Sequence, residues 1–209
     1  MRGENAMKLD AIEVDYDTIN PLILQLSPVL EMTDDQFFTL CQNNRDYRFE
    51  RTAKGELIIM PPAGSETGNR NFKLAQQLAN WTDKDGTGIG FDSSAGFTLP
   101  NGASRSPDAS WMTLEKWQSI SPEKQTNFAP VCPDFVVELR SPSDSLSHLK
   151  EKLQEYIDNG ASLGLLLDRK NRQVYVYRPQ QEVECLDNPK TVSCEPVLTG
   201  FSLELESIW

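Results

Sequence analysis

Two carboxylates in this chain stand where strands ordinarily place apolar residues. Asp108 follows Arg105-Ser106-Pro107 and opens Asp108-Ala109-Ser110-Trp111-Met112, and Glu138 interrupts Phe135-Val136-Val137-Glu138-Leu139. A helical-looking segment carrying Lys150 and Lys152 follows. Two acids and a basic group near strand ends can hold a divalent cation and prepare a water for attack, so the chemistry they suggest is metal-assisted hydrolysis.

Each residue also has a plainer reading. Side chains alternate along a strand, so Phe135, Val137 and Leu139 form one face while Val136, Glu138 and Arg140 form the other. Glu138 could be a solvated residue on a half-exposed strand, although a helix-covered sheet buries both faces. Asp108 could be a turn former after Ser-Pro. Lys150 and Lys152 flank the apolar stripe of Leu146, Leu149, Leu153, Tyr156 and Ile157 on opposite sides, and periodicity leaves either one able to face the acids. Thirty residues separate Asp108 from Glu138, enough for adjacent strands joined by a helix and loop.

The elements that must position these groups follow from pattern. Residues 1–30 read as an irregular or partly helical lead-in. Thr33 caps a helix start, with Gln36 completing a capping box. Strands follow near Tyr47–Thr52 and Glu56–Met60, turned at Ala53-Lys54-Gly55, and Pro61-Pro62-Ala63-Gly64-Ser65 breaks the chain. Phe72, Leu74, Ala75, Leu78 and Trp81 give a helix over Glu66–Thr82. Strands are expected at Gly88–Asp92, Gly96–Leu99, Asp108–Met112 and Asp134–Arg140, with a polar helical stretch at Leu114–Ser119. Ser143, Asp144 or Ser145 caps a helix through Asn159, and Gly160 lies past its end. Leu163–Asp168 and Gln173–Tyr177 form a hairpin, with weaker strands near Glu182–Leu186 and Thr191–Cys194. This order predicts an α/β (α+β) fold with one mixed sheet flanked by helices, built as a single domain over 1–209 with its core at 60–180.

Composition narrows the function classes. Twenty Lys and Arg against 31 Asp and Glu give a net charge of −11. That counts against broad nucleic-acid binding, although a cation in an acidic site supplies positive charge of its own. No apolar run approaches the ~20 residues of a membrane helix, and the start lacks a signal-peptide stretch, so a cytoplasmic location is expected. Cys41, Cys132, Cys185 and Cys194 fit no zinc motif and read as reduced thiols. His148 is the only histidine, which argues against a histidine-rich zinc site or a Ser-His-Asp triad. Asp134 would lie ~13 Å along the strand from Glu138, too far to share a metal, and reads as a strand-start residue. Asp168 reads as structural.

Taken together, Pro107-Asp108, Glu138-Leu139-Arg140-Ser141-Pro142-Ser143-Asp144 and Glu151-Lys152-Leu153-Gln154-Glu155-Tyr156 resemble the Uma2 family, also called DUF820. That family is abundant in cyanobacteria and belongs to the PD-(D/E)XK, restriction-endonuclease-like nucleases. Met60 through Gly68, Gly96 through Gly102, and Asn159-Gly160 are similar to it as well. The resemblance spans roughly residues 30–180.

The resemblance implies a restriction-endonuclease-like fold and a Mg²⁺-dependent endonuclease acting on DNA, with Mn²⁺ able to substitute. Asp108 and Glu138 would be metal ligands. Glu66 resembles the superfamily's helical acid, which holds the metal directly or through water. The superfamily's lysine ordinarily comes two residues after the second acid, where this chain has Arg140, and Lys152 would take over its role. Guanidinium stays protonated and cannot act as a base, so Arg140 is assigned to phosphate or transition-state charge and Lys152 to the water. A homodimer follows only by analogy with nucleases that pair to cut two strands. Two other readings stand beside this one. A binding or regulatory protein descended from a nuclease is motivated by the net charge and by Arg140. A carboxylate-pair glycosidase is less suited to a basic residue at the pair.

Overall fold

The computed structural model describes residues 22–60, 64–142 and 144–209. The lead-in through residue 21, Pro61 to Ala63 of the chain break, and the cap candidate Ser143 lie outside the described residues. In chain order the elements are β1 (Leu22–Leu24), α1 (Asp34–Asn43), β2 (Arg48–Arg51), β3 (Leu57–Met60), α2 (Ser65–Asp85), β4 (Gly88–Asp92), β5 (Phe97–Thr98), β6 (Ser104–Arg105), β7 (Ala109–Thr113), α3 (Leu114–Gln118), α4 (Pro122–Gln125), β8 (Phe135–Leu139), α5 (Leu146–Asp158), β9 (Leu163–Asp168), β10 (Gln173–Tyr177), β11 (Glu184–Asp187), β12 (Thr191–Ser193) and β13 (Ser202–Glu204).

The central sheet has six strands in the order β11-β10-β9-β8-β7-β4. It is mixed, because β8 and β9 run parallel across the α5 crossover while the other neighbours are antiparallel. Helices cover both faces. On one face Leu74 and Leu78 of α2 pack with Ala109, Trp111, Phe135, Val137 and Leu139. On the other, Leu153, Tyr156 and Ile157 of α5 pack with Met112, Val136 and Leu166. The mixed, helix-flanked sheet expected from the sequence is therefore present, and all five residues of β8 are buried.

The expectation of one sheet needs correction. Five short strands form a second sheet in the order β1-β3-β2-β6-β5, and β12 pairs with β13 as a third. Part of the lead-in is strand rather than irregular or helical, because Leu22, Ile23 and Leu24 pair with β3. The β2–β3 hairpin is the one expected around Ala53-Lys54-Gly55, whereas the β1–β3 and β2–β6 pairings join distant stretches through strands of two to four residues, too short for alternation to mark them.

Thr33 Oγ1 accepts from the Gln36 amide, and the Gln36 side chain accepts from the Thr33 amide, which is the expected capping box. Ser145 is the N-cap position of α5, and Gly160 just past its end has φ 106°, a conformation that favours glycine. Gly164 on β9 lets α5 lie close to the sheet, since a Cβ there would come within 2.8 Å of Leu153 Cδ1. The helix bearing Lys152 is thus seated by a missing side chain on the strand beneath it.

Candidate active site

The antiparallel register of β7 and β8 pairs Ala109 with Val137. One step further, Asp108 stands opposite Glu138. The Asp108 carboxylate crosses to the neighbouring strand, where Oδ2 accepts the Leu139 amide at 2.8 Å. Its Oδ1 accepts from Asn71 Nδ2 of α2 at 2.9 Å. Asp108 is therefore held by two donors and is more than a turn residue. It also stays partly open to solvent, whereas Glu138 is only 4% exposed. The pair opens outward through Asp108.

Helix α5 settles which lysine faces the acids. Lys152 Nζ lies 2.7 Å from Glu138 Oε1 and 2.8 Å from Glu50 Oε1. Lys150 points elsewhere, with its ammonium 4.0 Å from the centre of the Tyr175 ring. Four residues after Lys152, and so on the same helix face, Tyr156 donates its hydroxyl to Glu138 Oε1 at 3.1 Å.

Glu50 is the member of this cluster that sequence reading missed. It lies in β2 of the second sheet and is 3% exposed. Besides Lys152 it meets Arg105 Nη1 at 3.1 Å and accepts the Ser106 amide at 3.1 Å. Arg105 Nε in turn donates to Glu155 of α5 at 2.6 Å. The run Arg48-Phe49-Glu50-Arg51 reads as an ordinary charged strand, and nothing local marks Glu50 as buried.

The charges explain the titration of the site. Burial pushes Glu50 upward, but Lys152 and Arg105 outweigh it and bring the carboxyl down to about 2. Glu138 goes the other way, to about 8, because burial and the nearby Asp108 and Glu50 charges overcome its bond to Lys152. Burial also raises Asp108, against the lowering effect of the Leu139 amide and Lys152. Burial alone would lower Lys152, yet Glu138 and Glu50 raise it, so it remains an ammonium. Glu50 thus has both Lys152 and Arg105 as partners, while Glu138 has Lys152 alone among the cations and is the carboxyl that burial and its acidic neighbours raise.

The other expected site residues lie apart from this cluster. Glu66 lies in the first turn of α2 with its side chain 67% exposed and pairs with Arg70 and Arg169. Among the described residues, no three Asp, Glu, His or Cys side chains gather closely enough to hold a metal by themselves. Arg140 Nη1 meets the buried Asp168 at 3.1 Å, and its Nε donates to the Asp144 carbonyl at 3.1 Å. The structure sets Arg140 against Asp168, one strand over, and beside the loop leading into α5. Asp134 accepts the Thr113 amide and pairs with Lys116, a strand-start role as expected. All four cysteines are free.

The donor set can be judged against a divalent cation. Asp108 and Glu138 offer the hard anionic oxygens that Mg²⁺ takes, and Mg²⁺ is commonly held by one or two carboxylates with waters and substrate oxygens completing the shell. The surplus negative charge around Lys152 also favours a cation. The residues fit.

The sequence from residue 34 to 206 matches the model of the Uma2 family, described as "putative restriction endonuclease". This chain belongs to the Uma2 family. A similar fold is found in a solved structure from Anabaena variabilis, described as a "putative nuclease belonging to DUF820". The two are 21% identical with a TM-score of 0.68, and the match covers 85% of this chain and 97% of that one. No curated protein matches the chain. Within the Uma2 match fall Glu50, Asn71, Arg105, Asp108, Glu138, Lys152 and Tyr156, so the whole cluster lies inside the family region. No described helix is long and apolar enough to cross a membrane.

Proposed function

We propose that this protein is a Mg²⁺-dependent endonuclease hydrolysing phosphodiester bonds of DNA, with Mn²⁺ able to substitute. The observation that carries the reading is the Lys152 ammonium, 2.7 Å from Glu138 and backed by Glu50, beside the Asp108 carboxylate that the β7–β8 register sets opposite Glu138. Asp108 and Glu138 would hold the cation, and a bound Mg²⁺ supplies Lewis acidity toward the phosphate and lowers the pKa of its water.

The protein's own groups have distinct tasks. Lys152 stays charged, so it donates to the attacking water or to a phosphate oxygen and does not serve as the base. Glu50 and Tyr156 fix the ammonium and the Glu138 carboxylate in place. Arg140, paired with Asp168, braces the segment between β8 and α5, which gives the phosphate clamp assigned to it less support. Glu66, exposed among two arginines, fits a substrate-facing edge better than a direct metal ligand.

A non-catalytic descendant of a nuclease was suggested by Arg140 in the lysine slot. Lys152 in the site weighs against that reading, since the missing charge is supplied from α5. A cytoplasmic setting and a homodimer that cuts both strands belong to the same proposal.

The test is hydrolysis of matched DNA and RNA oligonucleotides with Mg²⁺, with Mn²⁺ and with chelator. The expected result is DNA cleavage that chelator abolishes. Cleavage of RNA alone would replace the substrate. No metal-dependent cleavage of either strand type would overturn the reading.

A further inference from the structure

Helix α2 buries Thr67, Leu74 and Leu78 at helical spacing, and Asn71 stands in the same stripe. A carboxamide at such a position needs partners. Its Nδ2 has one, the Asp108 carboxylate at 2.9 Å. Its Oδ1 is shut off from solvent, and no donor among the described residues reaches it. The other described buried side-chain atoms in that condition are hydroxyls or N–H donors. Among the described residues, Asn71 Oδ1 is the only such atom that can accept but not donate. Reversing the amide would set two acceptors against each other at Asp108, so the orientation is fixed by chemistry.

A buried acceptor without a donor costs about 1–3 kcal/mol, so this one marks a place where a donor belongs. A water bound to a cation is a strong donor, and the neighbour that fixes Asn71 is the carboxylate read as a metal ligand. We propose that Asn71 Oδ1 accepts a hydrogen bond from a water on the cation held by Asp108 and Glu138, which makes Asn71 a positioning residue of the metal site. This inference rests on the metal-dependent reading above. One side chain then serves twice: its N–H orients Asp108, and its oxygen orients a metal-bound water.

Calorimetric titration with Mn²⁺ tests it in the full chain, comparing wild type, Asn71→Leu and Asn71→Asp. Leucine suits the buried stripe, so folding is expected to survive, with thermal melts as the check. The expected result is a loss of about 10–100-fold in Mn²⁺ affinity for Asn71→Leu. Asn71→Asp, which keeps the oxygen but loses the donor, should bind at least as tightly as wild type. Equal losses in both variants would reduce Asn71 to a donor for Asp108 and overturn the inference. Unchanged affinity in Asn71→Leu would overturn it as well.

Because Asn71→Asp also adds charge, a Mn²⁺-loaded crystal of the wild type is the second measurement. Asn71 Oδ1 within hydrogen-bond reach of a manganese-bound water supports the proposal, and Oδ1 directed away from the ion's shell overturns it. Failure of the wild type to bind Mn²⁺, or undiminished binding by Asp108→Asn, would instead bring down the metal-dependent reading and this inference with it.

Discussion

The Lys152 ammonium stands 2.7 Å from the Glu138 carboxylate, and the bond joins helix α5 to the C-terminal end of β8. Lys150, two residues earlier, is turned away onto Tyr175. The two lysines should therefore separate cleanly on substitution. Lys152→Met is expected to lower single-turnover DNA cleavage by two orders of magnitude or more, a size typical of losing one preorganised donor at a developing charge. Lys150→Met should leave the rate within about twofold and cost about 0.5–1 kcal/mol of stability through the lost cation–π contact. Parallel cleavage assays and urea titrations of the two variants check this.

Metal binding should be pH-dependent with a definite sign. Glu138 is raised to about 8 in the metal-free protein, and a cation needs its ionised form. Apparent Mg²⁺ or Mn²⁺ affinity should then rise about tenfold per pH unit up to about pH 8 and level off above it. Calorimetry across pH 6–9 in buffers of different ionisation heat should detect about one proton released per ion below that pH. A flat profile would contradict the shift.

The same carboxyl makes the metal-free protein less stable as pH rises. Its folded pKa exceeds the unfolded value, so between the ordinary glutamate range and about 8 the folded state binds more protons, and stability falls through that window. Glu138→Gln should flatten the fall, and thermal melts of metal-free protein at several pH values would reveal it. Saturating metal should restore the wild type at the alkaline end.

Glu50 has the opposite sign. Its carboxyl is held at about 2 by Lys152 and Arg105 against the cost of burial, so its contribution is complete above the ordinary glutamate pKa and is lost as pH falls toward 2. Glu50→Gln leaves two buried cations short of charge and should cost about 3–5 kcal/mol near neutrality. The penalty should shrink in acid, as denaturant midpoints at pH 3 and pH 7 would show.

Much of this was legible in the sequence because its signals are local. The α1 capping box, Leu74 and Leu78 on α2, the apolar stripe of α5 and the alternation in β8 each lie within a dozen residues, although Phe72, expected in the α2 stripe, is exposed. Asp108, Glu138 and Lys152 were named from type, position and family likeness, and the structure brings them together. Glu50 was not legible, since its partner Arg105 is 55 residues away and belongs to a sheet made of very short strands. The choice between Lys150 and Lys152 was equally closed to periodicity, because Tyr175 on β10 draws one of them aside. Glu66 looked like a site acid by its place at the start of α2, yet a first-turn glutamate on an exposed helix end has its own reason to exist in the helix dipole.

The most direct test is cleavage of supercoiled plasmid with Mn²⁺ by wild type, Asp108→Asn and Lys152→Met, each confirmed folded by its thermal melt. Wild type is expected to give nicked and linear product and both variants at least a hundredfold less, in line with removal of a metal ligand or a charge-stabilising donor. Equal cleavage by all three, or none by the wild type, would contradict the metal-dependent reading.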